Sequence, residues 1–170
     1  MKSKEEEYKE LFHAEALENF EELNRLFTDL ENDHTDFSAI SSVFRIVHTL
    51  KGNAMGMGFD DIAALTHVME DVMGSVQQGT MTLNKDLFDS LFKANDKLGA
   101  LIDALKTGQK VPYLGIKTKL VVLLEKHAKA VETKADAQPS QSQEAPAPVV
   151  DRPQKIDGEG QPEADEETAE

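Results

Sequence analysis

The sequence predicts an all-α protein: an antiparallel up-down four-helix bundle, followed by a fifth helix and a disordered acidic tail. Three observations predict this fold. Apolar residues in positions 1–133 recur every three or four residues, the spacing of a helix face turned toward a core. No segment of that region alternates apolar and polar residues as a half-buried strand would. The connections between the apolar segments are short, which favours antiparallel neighbours.

The first two helices follow from their apolar stripes and from the residues that interrupt them. The first helix covers about six turns, and its pattern breaks at 32–36. The second is predicted from about Asp36 to Gly56 and Gly58, because glycine tolerates the left-handed backbone that ends helices. The residues expected on the inner faces are Tyr8, Phe12, Ala16, Phe20, Leu23, Phe27 and Leu30 in the first helix, and Ile40, Val43, Phe44, Val47, Leu50 and Ala54 in the second.

Three further helices are predicted in the same way. The third begins near Asp60 and stops at Gly79, and Asn84 is a candidate N-cap for the fourth, which stops before Gly108. Pro112 can open the fifth helix in its first turn, where proline loses no hydrogen bond. The inner faces are expected to carry Ile62, Leu65, Met69, Val72 and Val76 in the third helix, Leu87, Leu91, Ala94, Leu98, Leu101 and Leu105 in the fourth, and Leu120, Leu124 and Val131 in the fifth.

Charge and composition separate a domain from a tail. The 170 residues include 32 acidic and 18 basic side chains, for a formal net charge of −14. Half of it, −7, lies in residues 134–170, together with five of the six prolines and no aromatic residue. Such a segment cannot bury enough apolar surface to offset its ordering entropy, so we expect disorder. The predicted divisions are a bundle at 1–107, an additional helix at 108–133 and a tail or linker at 134–170.

The same composition excludes several classes of function. An acidic domain is a poor match for DNA or RNA, whose phosphates require basic surfaces. The longest aliphatic run, residues 120–124, is far shorter than the roughly 20 residues that span a bilayer, and the N-terminus has no signal-peptide core. Without cysteine there is no disulfide, thiolate nucleophile or thiolate metal site. We therefore expect a monomeric, cytoplasmic protein that binds neither nucleic acid nor membranes.

A polar group interrupts the apolar pattern of the second helix. His48 follows the core position Val47 and lies at the edge of the apolar face, and Lys51 and Gly52 lie beside it on the same surface. Glycine inside a helix costs roughly 1 kcal/mol relative to alanine, so something should compensate. The missing side chain would leave His48 accessible to a docking protein, and Lys51 would supply positive charge nearby. A histidine that carries a phosphoryl group needs both features.

The third helix carries a matching stripe of small and ionisable residues. Ala63, His67, Glu70 and Gly74 share one face, and the small residues allow another helix to come close. If that neighbour is the second helix, Glu70 can accept a hydrogen bond from the His48 imidazole. Such a bond fixes the tautomer and leaves the other ring nitrogen free with raised basicity.

These two segments resemble a known family. The run at 48–52, His-Thr-Leu-Lys-Gly, with Ala54 and the Gly-Phe pair at 58–59, resembles the phosphorylation motif of histidine-containing phosphotransfer (HPt) domains. The block at 65–71 resembles the following helix of that family at the expected separation. The similarity is greatest to the N-terminal HPt domains of CheA-type chemotaxis histidine kinases, and it covers about residues 5–107.

The resemblance implies a phosphoryl carrier in a two-component system, of the chemotaxis type. In that family the histidine accepts a phosphoryl group from ATP through a histidine kinase domain, or from a receiver aspartate, and passes it to an aspartate of a response regulator. ATP and magnesium belong to those partners, so no metal, nucleotide or organic cofactor is expected here. The implied site residues are the phosphorylated His48, the assisting Glu70, Lys51 and His67, and the partner-docking Gly52 and Thr49.

Other possibilities stay open at this point. No kinase core follows the resemblance, so we expect either a free-standing HPt protein or the front piece of a kinase cut in its first linker, unable to phosphorylate itself. An HPt-like interaction module without phosphotransfer is one alternative. A metal-binding bundle with His48, His67 and Glu70 as ligands is another. Di-iron bundles need Glu-x-x-His on two helices, whereas this chain has a single motif in the reversed order.

Overall fold

Five helices account for the part of the chain that the structure describes. The structure is a computed structural model that describes the backbone of residues 3–135 and the side chains of residues 3–130. No strand occurs within that range, so the all-α prediction is confirmed. Of the tail predicted at 134–170, Lys134 and Ala135 belong to the last helix instead, and the rest of the expected disorder lies outside the described residues. The helices are α1 (Lys4–Asn32), α2 (Phe37–Met57), α3 (Asp60–Gln77), α4 (Lys85–Thr107) and α5 (Leu114–Ala135).

Side chains fix where three of the helices begin. The Ser3 hydroxyl accepts the Glu6 N–H, and the Glu6 carboxylate accepts the Ser3 N–H, which together form a capping box at α1. Asp36 and Asn84 cap α2 and α4 by accepting a backbone N–H three residues further on. These two caps confirm the predicted helix starts.

Glycines end α2 and α4 where the sequence predicts. Gly58 has φ 73° and Gly108 has φ 68°, the left-handed conformation that residues with a Cβ rarely adopt. The Gly58 N–H donates to the carbonyls of Ala54 and Met55 in the last turn of α2. The chain then reverses within two residues before α3 begins. This tight reversal fixes α3 beside α2.

The start of α5 differs from the prediction. The sequence places Pro112 in the first turn, but the helix begins two residues later, at Leu114. The Tyr113 carbonyl accepts the Lys117 N–H, so Tyr113 occupies the position before the first turn. The Tyr113 hydroxyl donates to Asp61 Oδ1 at 2.8 Å, which attaches this residue to α3 and sets where α5 can begin.

The first four helices close into a ring. α1 packs on α2, α2 on α3, α3 on α4 and α4 on α1, which is the predicted four-helix bundle. α5 contacts α3 and α4, and its Leu120 is fully buried. The packing of α2 on α3 is the most extensive. None of these helices within residues 3–135 combines the length and the apolar character needed to cross a membrane.

The predicted inner faces form the core with one clear exception. Most of these residues are buried, and Phe20, Phe44, Leu105 and Leu124 are partly buried. Tyr8 is 60% exposed, which contradicts its assignment to the core. It borders an open groove whose opposite wall includes Gly52 and Gly56 of α2, so it lies at the surface and not in the core. The Val131 side chain lies outside the described residues.

Candidate functional site

His48 and Glu70 meet across the α2–α3 interface. His48 Nδ1 lies 2.6 Å from Glu70 Oε1, which is the contact that the sequence predicts. Because a carboxylate can only accept, Nδ1 carries the proton and donates it, and Nε2 of the neutral ring keeps a free lone pair. The His48 side chain is 62% exposed, whereas that of Glu70 is 12% exposed. A partner can therefore reach the imidazole, while the group that orients it is protected from water.

Lys51 joins the same carboxylate. Its Nζ lies 2.6 Å from Glu70 Oε2, and its side chain is partly buried. The sequence places a positive charge beside His48; the structure shows that this charge is paired with the Glu70 carboxylate, so the two charges balance next to the imidazole. Glu70 thus contacts His48 through one oxygen and Lys51 through the other.

The surroundings of Glu70 keep it ionised. Burial tends to raise the pKa of Glu70, whereas the interactions with His48 and Lys51 lower it, and the lowering prevails. The pKa of Glu70 therefore lies below its ordinary value. At neutral pH the carboxylate can only accept hydrogen bonds, which is what the Nδ1–H tautomer of His48 requires.

Gly52 has no packing reason to be glycine. It is exposed, and a Cβ built on it would meet no atom within 4 Å. The helical cost of glycine is therefore not offset by any close contact of Gly52 within the described residues. The neighbouring Thr49 is also exposed, and its hydroxyl donates to the Arg45 carbonyl at 3.0 Å. Both predicted docking residues lie on the surface that carries His48.

His67 lies apart from this group. Its side chain is exposed, and its Nε2 lies 3.7 Å from Asp71 Oδ2, one turn further along α3. It makes no hydrogen bond or ion pair with His48, Glu70 or Lys51. The structure therefore brings together three of the four residues that the sequence proposes for the chemistry.

Two features of the site were missing from the sequence interpretation. Phe44, assigned only to the core, stacks on the His48 ring with centroids 6.3 Å apart and planes inclined by 21°. Its spacing of four residues from His48 on one helix is a signal that could have identified it. The second feature is the open groove between α1 and α2, whose exposed Tyr8 and Leu11 lie next to Gly52. In the sequence, the signal for this groove is the pair Gly52 and Gly56, which face α1 in the structure.

The remaining histidines make their contacts away from this group. His34 Nδ1 donates to a carbonyl of the last turn of α1, and its ring stacks on Phe88 at 4.8 Å. His127 Nε2 bonds to the Thr80 carbonyl. His13 is buried on α1. None of them is close enough to bond to the His48 group.

The metal-binding alternative lacks a ligand set in this structure. Among residues 3–130, no three His, Asp or Glu side chains converge so that they could hold a metal ion. His48 and Glu70 are paired, but His67 faces Asp71 instead of completing the set. The geometry of the ligands, rather than their number, argues against that alternative.

Comparison with known families decides what kind of domain this is. The family model of the Hpt domain matches residues 7–108, which is more than half of the chain. The chain belongs to the HPt family. The match contains every candidate site residue and ends at the Gly108 cap, before α5 begins. The resemblance drawn from the motifs at 48–52 and 65–71 is therefore confirmed.

Curated relatives of this HPt chain include chemotaxis proteins. It is 32% identical over 139 residues to chemotaxis protein CheA of Bacillus subtilis, covering 81% of this chain and 20% of that protein. It is 35% identical over 101 residues to chemotaxis protein CheA of Halobacterium salinarum, covering 59% of this chain and 15% of that protein. The chain thus spans about a fifth or less of the length of these relatives.

Solved structures of HPt domains are similar as well. The CheA phosphotransferase domain from Thermotoga maritima superposes with a TM-score of 0.57 at 32% identity, covering 61% of this chain and 98% of that domain. The phosphorylated P1 domain of CheA3, solved in complex with CheY6 from R. sphaeroides, gives a TM-score of 0.61 at 22% identity, covering 72% of this chain and 97% of that domain. At that identity the second likeness shows the fold alone.

Proposed function

We propose that this HPt chain is a phosphoryl carrier in a chemotaxis-type two-component system, and that His48 Nε2 is the atom that takes up and releases the phosphoryl group. The observation that carries the proposal is the 2.6 Å contact between His48 Nδ1 and Glu70 Oε1, which leaves Nε2 unprotonated on an exposed ring. The donor is a histidine kinase catalytic domain, and the acceptor is an aspartate on a response-regulator receiver domain. Both partners act in the cytoplasm.

The chemistry follows from the tautomer. The Nε2 lone pair attacks the γ-phosphorus of ATP held by the kinase, the bond to the bridging oxygen breaks, and ADP leaves with its electron pair. No proton has to leave Nε2, since the proton of the neutral ring is on Nδ1. The ring becomes cationic as the N–P bond forms, and the Glu70 carboxylate stabilises that charge through Nδ1–H. In the second transfer a receiver carboxylate attacks phosphorus, the N–P bond breaks, and its electron pair returns to Nε2.

Lys51 has an electrostatic role in this scheme. Charge spreads over three equatorial oxygens of the transferred group, so positioning and nearby cations account for most of the rate. The Lys51 ammonium is anchored on Glu70 and therefore stays next to the imidazole. ATP and magnesium come with the partners, and this chain contributes the oriented nitrogen and one cation. It does not phosphorylate itself.

The groove between α1 and α2 is the surface on which a receiver domain docks in this proposal. It holds about 340 Å³ and is continuous with the His48 face through Gly52, which forms part of its wall. Tyr8 and Leu11 are 60% and 56% exposed on its α1 side. Exposed apolar side chains grouped beside a reactive residue are typical of a protein contact. Gly52 and Gly56 leave room on the α2 side for a partner's backbone.

The proposal is tested by labelling the full chain with radioactive ATP and a purified CheA-type kinase domain. We expect an acid-labile, base-stable phosphate on the chain, and we expect His48→Gln to abolish it while the helical circular dichroism stays unchanged. His127→Gln is the control, because His127 lies on α5 and bonds to the Thr80 carbonyl, away from Glu70. Full labelling of His48→Gln, or no label from several competent kinases, would overturn the proposal.

The docking surface has its own matched pair of variants. Leu11→Lys places a charge in the groove, and transfer from phosphorylated chain to a receiver domain should slow by about tenfold, the effect of losing one well-placed contact residue. Leu114→Lys is the control, because Leu114 is 63% exposed on α5, outside the groove. Equal transfer rates for the two variants would place the docking surface elsewhere.

A further inference from the structure

Phe44 contacts the reactive histidine on one side and helix α3 on the other. It lies one turn before His48 on α2, and the two rings stack with centroids 6.3 Å apart and planes inclined by 21°. The Phe44 side chain is partly buried, whereas His48 is 62% exposed. One face of the exposed imidazole is thus covered by a ring that the bundle holds in place.

Gly74 provides the space in which Phe44 packs. A Cβ built on Gly74 would lie 3.3 Å from Cε2 and 3.8 Å from Cδ2 of Phe44. The first distance is tighter than an ordinary contact, so a residue larger than glycine would displace the ring or the helix. The close approach of Phe44 therefore explains why α3 keeps a buried glycine in its interior, where glycine is otherwise unfavourable.

The hydrogen bond to Glu70 does not by itself fix the plane of the imidazole. It restrains Nδ1, but the ring can still rotate about the direction of the bond, and such rotation moves Nε2. A stacked ring removes that freedom, because parallel aromatic planes with offset centroids are a preferred arrangement. A bond at one edge and a ring against one face together define where the Nε2 lone pair is directed.

We propose that Phe44, seated against Gly74, is a positioning residue for His48: it sets the plane of the imidazole so that Nδ1 stays on Glu70 and Nε2 faces the docked partner. The inference rests on the proposed phosphotransfer function of His48. Phe44 touches neither the phosphoryl group nor ATP, and it acts only through the geometry of the histidine. Small errors in the alignment of a reacting atom are costly in rate, so the plane of the ring matters.

The chain offers a matched control for this proposal. Phe20 on α1 is also partly buried and packs directly on a glycine of α4, Gly99, but it has no contact with His48. Phe44→Leu and Phe20→Leu therefore remove a similar amount of aromatic packing against a helical glycine. Only the first removes the ring that faces the imidazole.

The test compares these variants in the full chain by two measurements. Nitrogen NMR of the His48 ring reports the Nδ1–H tautomer, and labelling with a CheA-type kinase domain reports the rate of phosphorylation. We expect Phe44→Leu to lower the fraction of the Nδ1–H tautomer and to slow phosphorylation about two- to tenfold, the range that an aromatic pair accounts for. Gly74→Ala should change both in the same direction, and Phe20→Leu should change neither.

An unchanged tautomer and an unchanged rate in Phe44→Leu would overturn the proposal. If Phe44→Leu does not fold, proton contacts between the Phe44 and His48 rings in the unsubstituted chain decide: their presence supports the stacking, and their absence contradicts it. If the unsubstituted chain accepts no phosphate, the proposed function fails, and the tautomer comparison alone decides whether Phe44 positions the ring.

Discussion

The α2–α3 and α1–α4 interfaces share two features, a phenylalanine packed on a glycine and a histidine, but the histidine is exposed in only one of them. In each, a phenylalanine packs on a helical glycine: Phe44 on Gly74, and Phe20 on Gly99. Each also carries a histidine. On α2 it is the exposed His48, held by the partly buried Glu70 carboxylate, whereas on α1 it is His13, which is only 5% exposed.

The difference shows what makes a histidine available for chemistry. At α1–α4 the His13 Nε2 is buried and has no hydrogen-bond partner among residues 3–130, and burial together with the nearby Lys106 lowers the pKa of His13. Asn95 Nδ2 donates to Asn24 Oδ1 at 2.7 Å, so polar groups there stabilise packing. At α2–α3 the orienting Glu70 is mostly shielded from solvent, and the His48 ring that it orients is exposed. A reactive site needs that division, because the nucleophile must be both aligned and reachable.

The largest expected effect comes from filling the α1–α4 contact. A Cβ on Gly99 would overlap three atoms of the Phe20 ring, so Gly99→Ala overpacks this interface. We expect the free energy of unfolding in urea to fall by about 1–3 kcal/mol. The rate at which the folded protein is phosphorylated should stay the same, since Gly99 is not at the His48 site. An unchanged stability would show that the two helices can separate without cost.

The next largest effect is on the rate of phosphorylation, and it is expected only at the α2–α3 interface. Glu70→Ala removes the partner of His48 Nδ1, and we expect phosphorylation to slow by about tenfold or more, as loss of an orienting group typically does. Asp71→Ala is the matched control on the next residue of α3, because Asp71 is exposed and pairs with His67. Equal rates for the two variants would remove the role assigned to Glu70.

A smaller effect on the free energy of unfolding, opposite in sign to that of Gly99→Ala, is expected at Gly52. Because a Cβ there meets no atom within 4 Å, Gly52→Ala should gain helix propensity and raise the free energy of unfolding by up to about 1 kcal/mol. The same methyl group lies on the proposed docking surface, so transfer to a receiver domain should slow. Faster or equal transfer by a more stable variant would mean that the partner does not approach Gly52.

The smallest effect is a pH dependence at the α1–α4 interface. The folded pKa of His13 lies below the ordinary value of 6.5, so the unfolded chain binds this proton more tightly. Stability should therefore decrease as the pH falls from about 6.5 toward the folded pKa. His13→Gln should flatten that part of the curve of unfolding free energy against pH. The same slope in both proteins would show that His13 is not its source.

Much of the fold follows from the sequence because helices depend on local information. Apolar spacing and the caps at Asp36, Asn84 and Gly108 locate the helices to within a few residues. The predicted start of α5 was wrong because the true start depends on the hydrogen bond from Tyr113 to Asp61 of α3, which no local sequence pattern reveals.

Features that depend on packing across helices were only partly predictable. The small residues of the α3 stripe predicted that a neighbouring helix could come close, and the structure shows that this helix is α2 and that Glu70 reaches His48. The pairing of Lys51 with that carboxylate, and the stacking of Phe44, were not predicted. The sequence assigns Gly52 to an accessible surface and Gly74 to a close helix contact, and the structure shows Gly52 facing open space and Gly74 facing the Phe44 ring. Only the structure shows which side chain packs on Gly74.

The most direct test of the account is to locate the phosphoryl group on the phosphorylated chain by NMR of the imidazole nitrogens. Because Nδ1–H is held by Glu70, we expect an N–P bond at Nε2 of His48, with the proton retained on Nδ1. A phosphoryl group on Nδ1 of His48, or on any other residue, would contradict it.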